Sequence, residues 1–163
     1  MLGSSTVTPS AADAGRPPQV APSLPDGTTV MEPSILILLA EDDQRILDSM
    51  QETLEQGGYS VQGASSGEEA IHLIWHLERP ISGLVTDIRL GTGPSGWDVA
   101  RTARERDPEL PIVYMAGDSA LEWASQGVPK SILLQKPIAA AQLVTAISTL
   151  MNKLDSSPHM VAG

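Results

Sequence analysis

From residue 34 onward, short runs of large apolar residues alternate with segments whose apolar positions recur at helical spacing, and nothing else constrains the fold as tightly. Strand candidates are residues 35–40, 59–64, 81–87, 111–116 and Ser131–Gln135. Four are almost continuously apolar, which predicts parallel strands covered on both faces. The second, "YSVQGA", alternates and predicts an edge strand.

Five helical segments lie between and after these runs. The first carries a stripe of Ile46, Leu47, Met50 and Leu54 and ends at Gly57-Gly58. The second, over 67–77, turns Ala70, Ile71, Ile74 and Leu77 inward. The third, over 97–106, offers Val99, Ala100 and Ala103 and stops before Pro108. A fourth, over 119–126, is short and weakly amphipathic, and the last has the stripe Leu143, Ile147, Leu150, Met151 and Leu154. Strands and helices in alternation predict a doubly wound α/β domain over 33–154. Residues 1–32, rich in Pro, Ser, Thr, Ala and Gly, predict a disordered leader, and 155–163 a frayed tail. Met31, just before the first strand, is an alternative start.

In such sheets, ligands sit beyond the carboxyl ends of the strands. There the sequence crowds charge. "ILILLAEDD" runs from strand 1 into Glu41, Asp42 and Asp43; strand 3 ends in Asp87; strand 4 ends in Ala116-Gly117; strand 5 leads into Lys136-Pro137. Like charges at close range demand a cation or a shifted pKa. Three hard oxygen donors from Glu41, Asp42 and Asp87 suit Mg²⁺, with Lys136 as a second positive charge. Asp43 is better placed as the N-cap of the first helix.

Composition narrows the rest. Ten Lys and Arg against twenty Asp and Glu give a formal charge of −10, which argues against nucleic acid or an anionic membrane as partner. The absence of Cys excludes disulfide and thiolate chemistry. No signal-like segment is present, so a cytoplasmic location is expected. Aromatic content of 3%, with no Phe, predicts an aliphatic core.

"LLAEDD", "LVTDIRL" and "LLQKP", in this order and at suitable spacing, resemble the receiver domains of two-component response regulators. The resemblance implies the flavodoxin-like fold, a five-stranded parallel sheet of order 2-1-3-4-5 with five helices. It implies that Asp87 accepts a phosphoryl group from a histidine kinase or phosphotransfer protein. Asp42, Asp87 and the backbone carbonyl of Arg89 would bind Mg²⁺ directly, with Glu41 acting through water. Lys136 would pair with Asp87 or the phosphoryl oxygens, before a cis Pro137 peptide. Partners would meet the face made by helix 4, strand 5 and helix 5. An output domain finds no room after the last helix, so a stand-alone receiver that is no enzyme beyond its own phosphotransfer and dephosphorylation is expected.

Two positions depart from the family pattern. Ala116 stands where receivers carry Thr or Ser, and Leu133 where many carry Tyr or Phe. Ala116 therefore offers no hydroxyl to a phosphoryl oxygen, while Gly117 fits the small residue expected beside that group. These departures keep open a second reading, a pseudo-receiver that binds partners without phosphorylation. An aspartyl-nucleophile phosphatase would need Asp at position 89, which is Arg. Blander readings hold elsewhere. The loop "GTGPSG" lacks the Lys of a phosphate cradle and predicts a plain turn. His72 and His76, four apart on a polar flank, predict exposed surface rather than a metal site. Trp123 is either rim packing or a partner contact. The resemblance puts Arg89 and Asp118 at the two positions that flank the phosphoryl group, where their opposite charges would pair across the site.

Overall fold

The computed structural model describes residues 34–118 and 120–155. The leader over 1–32, the alternative start at Met31, the helix start at Ser119 and the tail beyond residue 155 lie outside them. The strands β1 (Leu36–Ala40), β2 (Ser60–Ala64), β3 (Gly83–Asp87), β4 (Ile112–Ala116) and β5 (Ser131–Gln135) form one sheet of order β2-β1-β3-β4-β5. Every neighbouring pair is parallel. The helices are α1 (Gln44–Gln56), α2 (Gly67–His76), α3 (Gly96–Arg106), α4 (Trp123–Gln126) and α5 (Ala140–Asp155).

Side chains alternate across the sheet, so each strand feeds two cores. On one face Leu38, Leu84, Ile112 and Tyr114 pack with Ala70 and Ile74 of α2 and Val99, Ala100 and Ala103 of α3. On the other, Ile37, Leu39, Val85, Val113 and Met115 pack with Leu47 and Leu54 of α1 and Leu143 and Ile147 of α5. Local chemistry sets the helix ends. Asp43 caps α1, its carboxylate accepting from the Arg45 N–H at 3.0 Å. Ser95 and Asp98 close a reciprocal capping box at the start of α3. At the end of α1, Gly58 takes φ 99, Gly58 N–H bonds Glu55 O, and Tyr59 N–H bonds Leu54 O. That is the Schellman closure, which needs a residue without Cβ at the left-handed position.

Two expectations are corrected. The core is not purely aliphatic: Tyr114 is fully buried and Trp97 nearly so, their ring centroids 4.7 Å apart. A low average content says nothing about where the few aromatic rings go, and Tyr114 stays inside because its hydroxyl accepts the Val128 N–H at 3.1 Å. Second, β5 is not covered on both faces; its first four residues are half-buried and Gln135 is exposed. It is the sheet's other edge. The fourth helix is short, as expected: a 3₁₀ turn (Ala120–Glu122) followed by the four-residue α4, with no buried residue in either. A sheet edge beside so short a cover cannot be dry.

Candidate functional site

Register brings the charged strand ends together. Ala40 pairs with Thr86, so Glu41 and Asp87 leave β1 and β3 at the same level. Asp87 pairs with Met115, and Ala116 with Gln135, which places Lys136 one step beyond. Chain order reverses between β1 and β3, so their carboxyl ends flank the switch-point crevice.

Lys136 Nζ lies 3.0 Å from Asp87 Oδ2 and 3.5 Å from Glu41 Oε1. Glu41 is 1% exposed and Asp87 7%, while Asp42 is exposed. One oxygen from each of the three acids falls within 4.8 Å of the others. Burial pushes the Glu41 carboxyl up to about 7; the Asp43 N–H, donating to Oε2 at 3.1 Å, works against this, and the Asp87 charge works with it. For Lys136, burial acts to lower the pKa, but the hydrogen bond and charge of Asp87, then Glu41, outweigh it and hold the ammonium above its ordinary value. Three carboxylates against one ammonium leave the site short of positive charge. Hard oxygen donors with a half-open mouth fit Mg²⁺, which keeps several waters.

The remaining positions surround this centre. Ala116 ends β4, buried, and its carbonyl accepts the Lys136 N–H at 2.7 Å. The Gly117 carbonyl accepts from Gln135 Nε2 at 3.4 Å. The Lys136–Pro137 peptide is cis. Arg89 Nε stands 3.2 Å from Asp118 Oδ1, so the pair across the two loops forms, both side chains largely exposed. A cleft of about 610 Å³ opens beside the acids, lined by Asp42, Arg89, Gly91, Trp97 and Glu122. Leu133 is half-buried against the α2–α3 core.

The exposure expected of the histidine pair and the turn expected at 91–96 are both found. His72 and His76 are exposed, with rings stacked at 4.2 Å. Among the described residues, the acid triad is the one group of three or more His, Cys, Asp or Glu that converges on a metal-sized space. The 91–96 loop is a turn with Gly91 at φ 80 and Gly93 at φ 89, leading into the Ser95 cap. Trp123 is half-exposed and its indole N–H donates to Ser131 Oγ at 3.0 Å. No helix among the described residues is long and apolar enough to cross a membrane.

Sequence reasoning missed two residues beside Asp87. A Cβ on Gly96 would collide with the Asp87 main-chain oxygen and the Ile88 Cα, so only glycine lets α3 start there. Thr86, fully buried, donates its hydroxyl to that same oxygen at 2.8 Å. The available signals were a glycine at the end of the "GTGPSG" loop and one hydroxyl inside an otherwise apolar strand.

The "Response regulator receiver domain" family matches residues 37–148. The response regulator receiver protein CpdR of Brucella abortus is 34% identical over 117 residues, covering 71% of this chain and 95% of that protein. The C4-dicarboxylate transport transcriptional regulatory protein DctD of Rhizobium meliloti is 32% identical over 111 residues, and this chain spans only 23% of it. The crystal structure of a response regulator receiver protein from Sinorhizobium medicae is similar with a TM-score of 0.71 at 50% identity, covering 73% of this chain and 95% of that one. A receiver domain protein from Clostridium thermocellum has a TM-score of 0.66 at 26% identity. The chain belongs to the response regulator receiver family, and with it to two-component signalling.

Proposed function

We propose that this receiver accepts a phosphoryl group on Asp87 from the phosphohistidine of a histidine kinase or phosphotransfer protein, and that it works as a stand-alone signalling module through protein contacts. The observation that carries this reading is the buried Asp87 carboxylate held 3.0 Å from Lys136 Nζ between two further acids. Near-complete coverage of the CpdR relative supports the stand-alone part. The contacts fall on the face of α4, β5 and α5, the part of the sheet least covered.

Lys136 engages Asp87 Oδ2, which leaves Oδ1 to attack phosphorus. The P–N bond breaks as the new P–O bond forms, and the departing imidazole keeps the electron pair and takes a proton. Lys136 then moves its ammonium toward the phosphoryl oxygens. Asp42, Asp87 and the Arg89 carbonyl would hold Mg²⁺, with Glu41 reaching it through water. The metal supplies neutralisation of charge on the phosphoryl oxygens. Ala116 contributes no hydroxyl there, and one hydrogen bond to a charged acceptor is worth roughly 1.5–3 kcal/mol. Transfer is therefore slower than with Thr, but not lost. The protein turns over no other substrate.

Incubated with Mg²⁺ and acetyl phosphate, the wild type should gain one base-labile phosphoryl group and Asp87→Asn none, read by intact-mass measurement. Asp42→Ala should abolish Mg²⁺ binding in a calorimetric titration, and Glu41→Gln should weaken it. A wild type that takes no label, from this donor or from a kinase active on other receivers, would hand the assignment to the pseudo-receiver reading.

A further inference from the structure

The buried polar and charged side chains among the described residues are Glu41, Thr86 and Asp87. The two acids belong to the site. Thr86 has no part in the chemistry set out above, yet it sits in the middle of the sheet between Ala40 and Tyr114 in the ladder. Its neighbours on β3, Leu84 and Val85, are aliphatic and fully buried. Valine has the shape of threonine, so packing alone gives no reason for a hydroxyl here, and a buried hydroxyl is costly unless bonded. The hydroxyl is bonded, to the main-chain oxygen of Asp87 at 2.8 Å.

Gly96 lies so close to that oxygen that a Cβ there would collide with it and with the Ile88 α-carbon. The Gly96 N–H also reaches Ile88 O at 2.7 Å, and the Ile88 N–H reaches Met115 O at 3.2 Å. The peptide linking Asp87 to Ile88 is thus gripped by its own strand, by the next strand and by the first turn of α3. Asp87 carries the nucleophile, and Arg89, two residues on, borders the cleft beside Asp42.

We propose that Thr86 is a positioning residue for phosphoryl transfer: its hydroxyl fixes the Asp87–Ile88 peptide, and with it the aim of the Asp87 carboxylate and of the Arg89 carbonyl. This rests on Asp87 being the phosphoacceptor. Removal of the hydroxyl takes away one of the restraints on the peptide plane, letting it tilt, without opening the core. Reaction geometry is sensitive to such shifts, with a displacement on the order of 1 Å costing about a hundredfold in rate.

Two substitutions separate positioning from packing. Thr86→Val keeps the volume and loses the hydroxyl; Thr86→Ser keeps the hydroxyl and loses a methyl. Rates of labelling by acetyl phosphate with Mg²⁺, thermal midpoints, calorimetric Mg²⁺ affinity and the Ile88 amide resonance would be compared in the full chain. Thr86→Val should melt close to the wild type, label roughly tenfold or more slowly, bind Mg²⁺ more weakly and shift the Ile88 amide. Thr86→Ser should melt lower and yet label at nearly the wild-type rate. Labelling that follows the order of the melting temperatures, or a Thr86→Val protein that labels like the wild type, overturns the proposal. A wild type that takes no label would instead count against the acceptor reading. In that case Mg²⁺ affinity decides for Thr86: weakened by Val and not by Ser supports it, and equal affinities overturn it.

Discussion

The sheet has a dry centre and a wet flank. β1, β3 and β4 are buried at all five of their positions, whereas β5 is half-exposed and the segment over it, 120–126, buries nothing. The three acids stand on the ends of β1 and β3; Lys136, beyond β5, and the exposed Gly117 stand at the flank. Two of the negative charges, Glu41 and Asp87, are therefore held by close packing, which resists displacement, while Asp42 faces solvent. The positive charge is mounted on an edge strand with few dry contacts, the kind of region that opens at low free-energy cost. A site built this way seats Glu41 and Asp87 in the packed centre while its cation comes from the less covered side of the sheet.

The largest effect that tests this contrast comes from adding one methyl on either side of it. Gly96→Ala drives a Cβ into the Asp87 main chain and should cost about 3 kcal/mol or more in urea unfolding. Gly117→Ala meets nothing within 4 Å and should stay within about 0.5 kcal/mol of the wild type. Similar costs at the two glycines would erase the distinction.

Next in size is a pH effect at the centre. Burial raises the Glu41 carboxyl from 4.5 to about 7, so between these values the folded chain holds a proton that the unfolded chain releases. The stabilisation is complete below 4.5 and is lost as the pH rises through about 7. In metal-free protein, unfolding free energy should fall by about 2–3 kcal/mol at most between about pH 5 and about pH 8. Glu41→Gln should flatten that slope. A slope that persists in Glu41→Gln would move its origin away from the strand ends.

The smallest effects sharpen the boundary between the two regions. Tyr114→Phe removes the hydroxyl that accepts the Val128 N–H and should cost about 1 kcal/mol, since a buried donor loses its partner. Leu121→Ala, at a side chain 96% exposed, should change stability by less than about 0.5 kcal/mol. If Leu121→Ala proves the costlier, the flank is better packed than its exposure implies.

The centre was the part most legible in the sequence, because its signals are local. Continuous apolar runs mark strands covered on both faces, and an acid directly after such a run stands at the strand's end whatever the rest of the chain does. Glu41, Asp42, Asp87 and Lys136 could be placed together on that ground. What stayed hidden depends on distant partners. Tyr114 is inside because Val128, in another connection, supplies its hydrogen bond. Gly96 matters because a helix start approaches the Asp87 carbonyl, and no spacing rule announces that approach. The half-exposure of β5 follows from how little the 120–126 segment covers, and its apolar sequence reads the same with or without a cover.

A stretch that buries nothing is also one that inheritance can rewrite cheaply. Substitutions within 120–126 meet no core packing requirement, so lineages can drift there without passing through unfolded intermediates. Residues around Asp87 have no such latitude, since Thr86, Gly96 and Tyr114 are each tied to a specific neighbour. Duplicated copies of a chain like this are therefore free to diverge at that surface long before they diverge around Asp87.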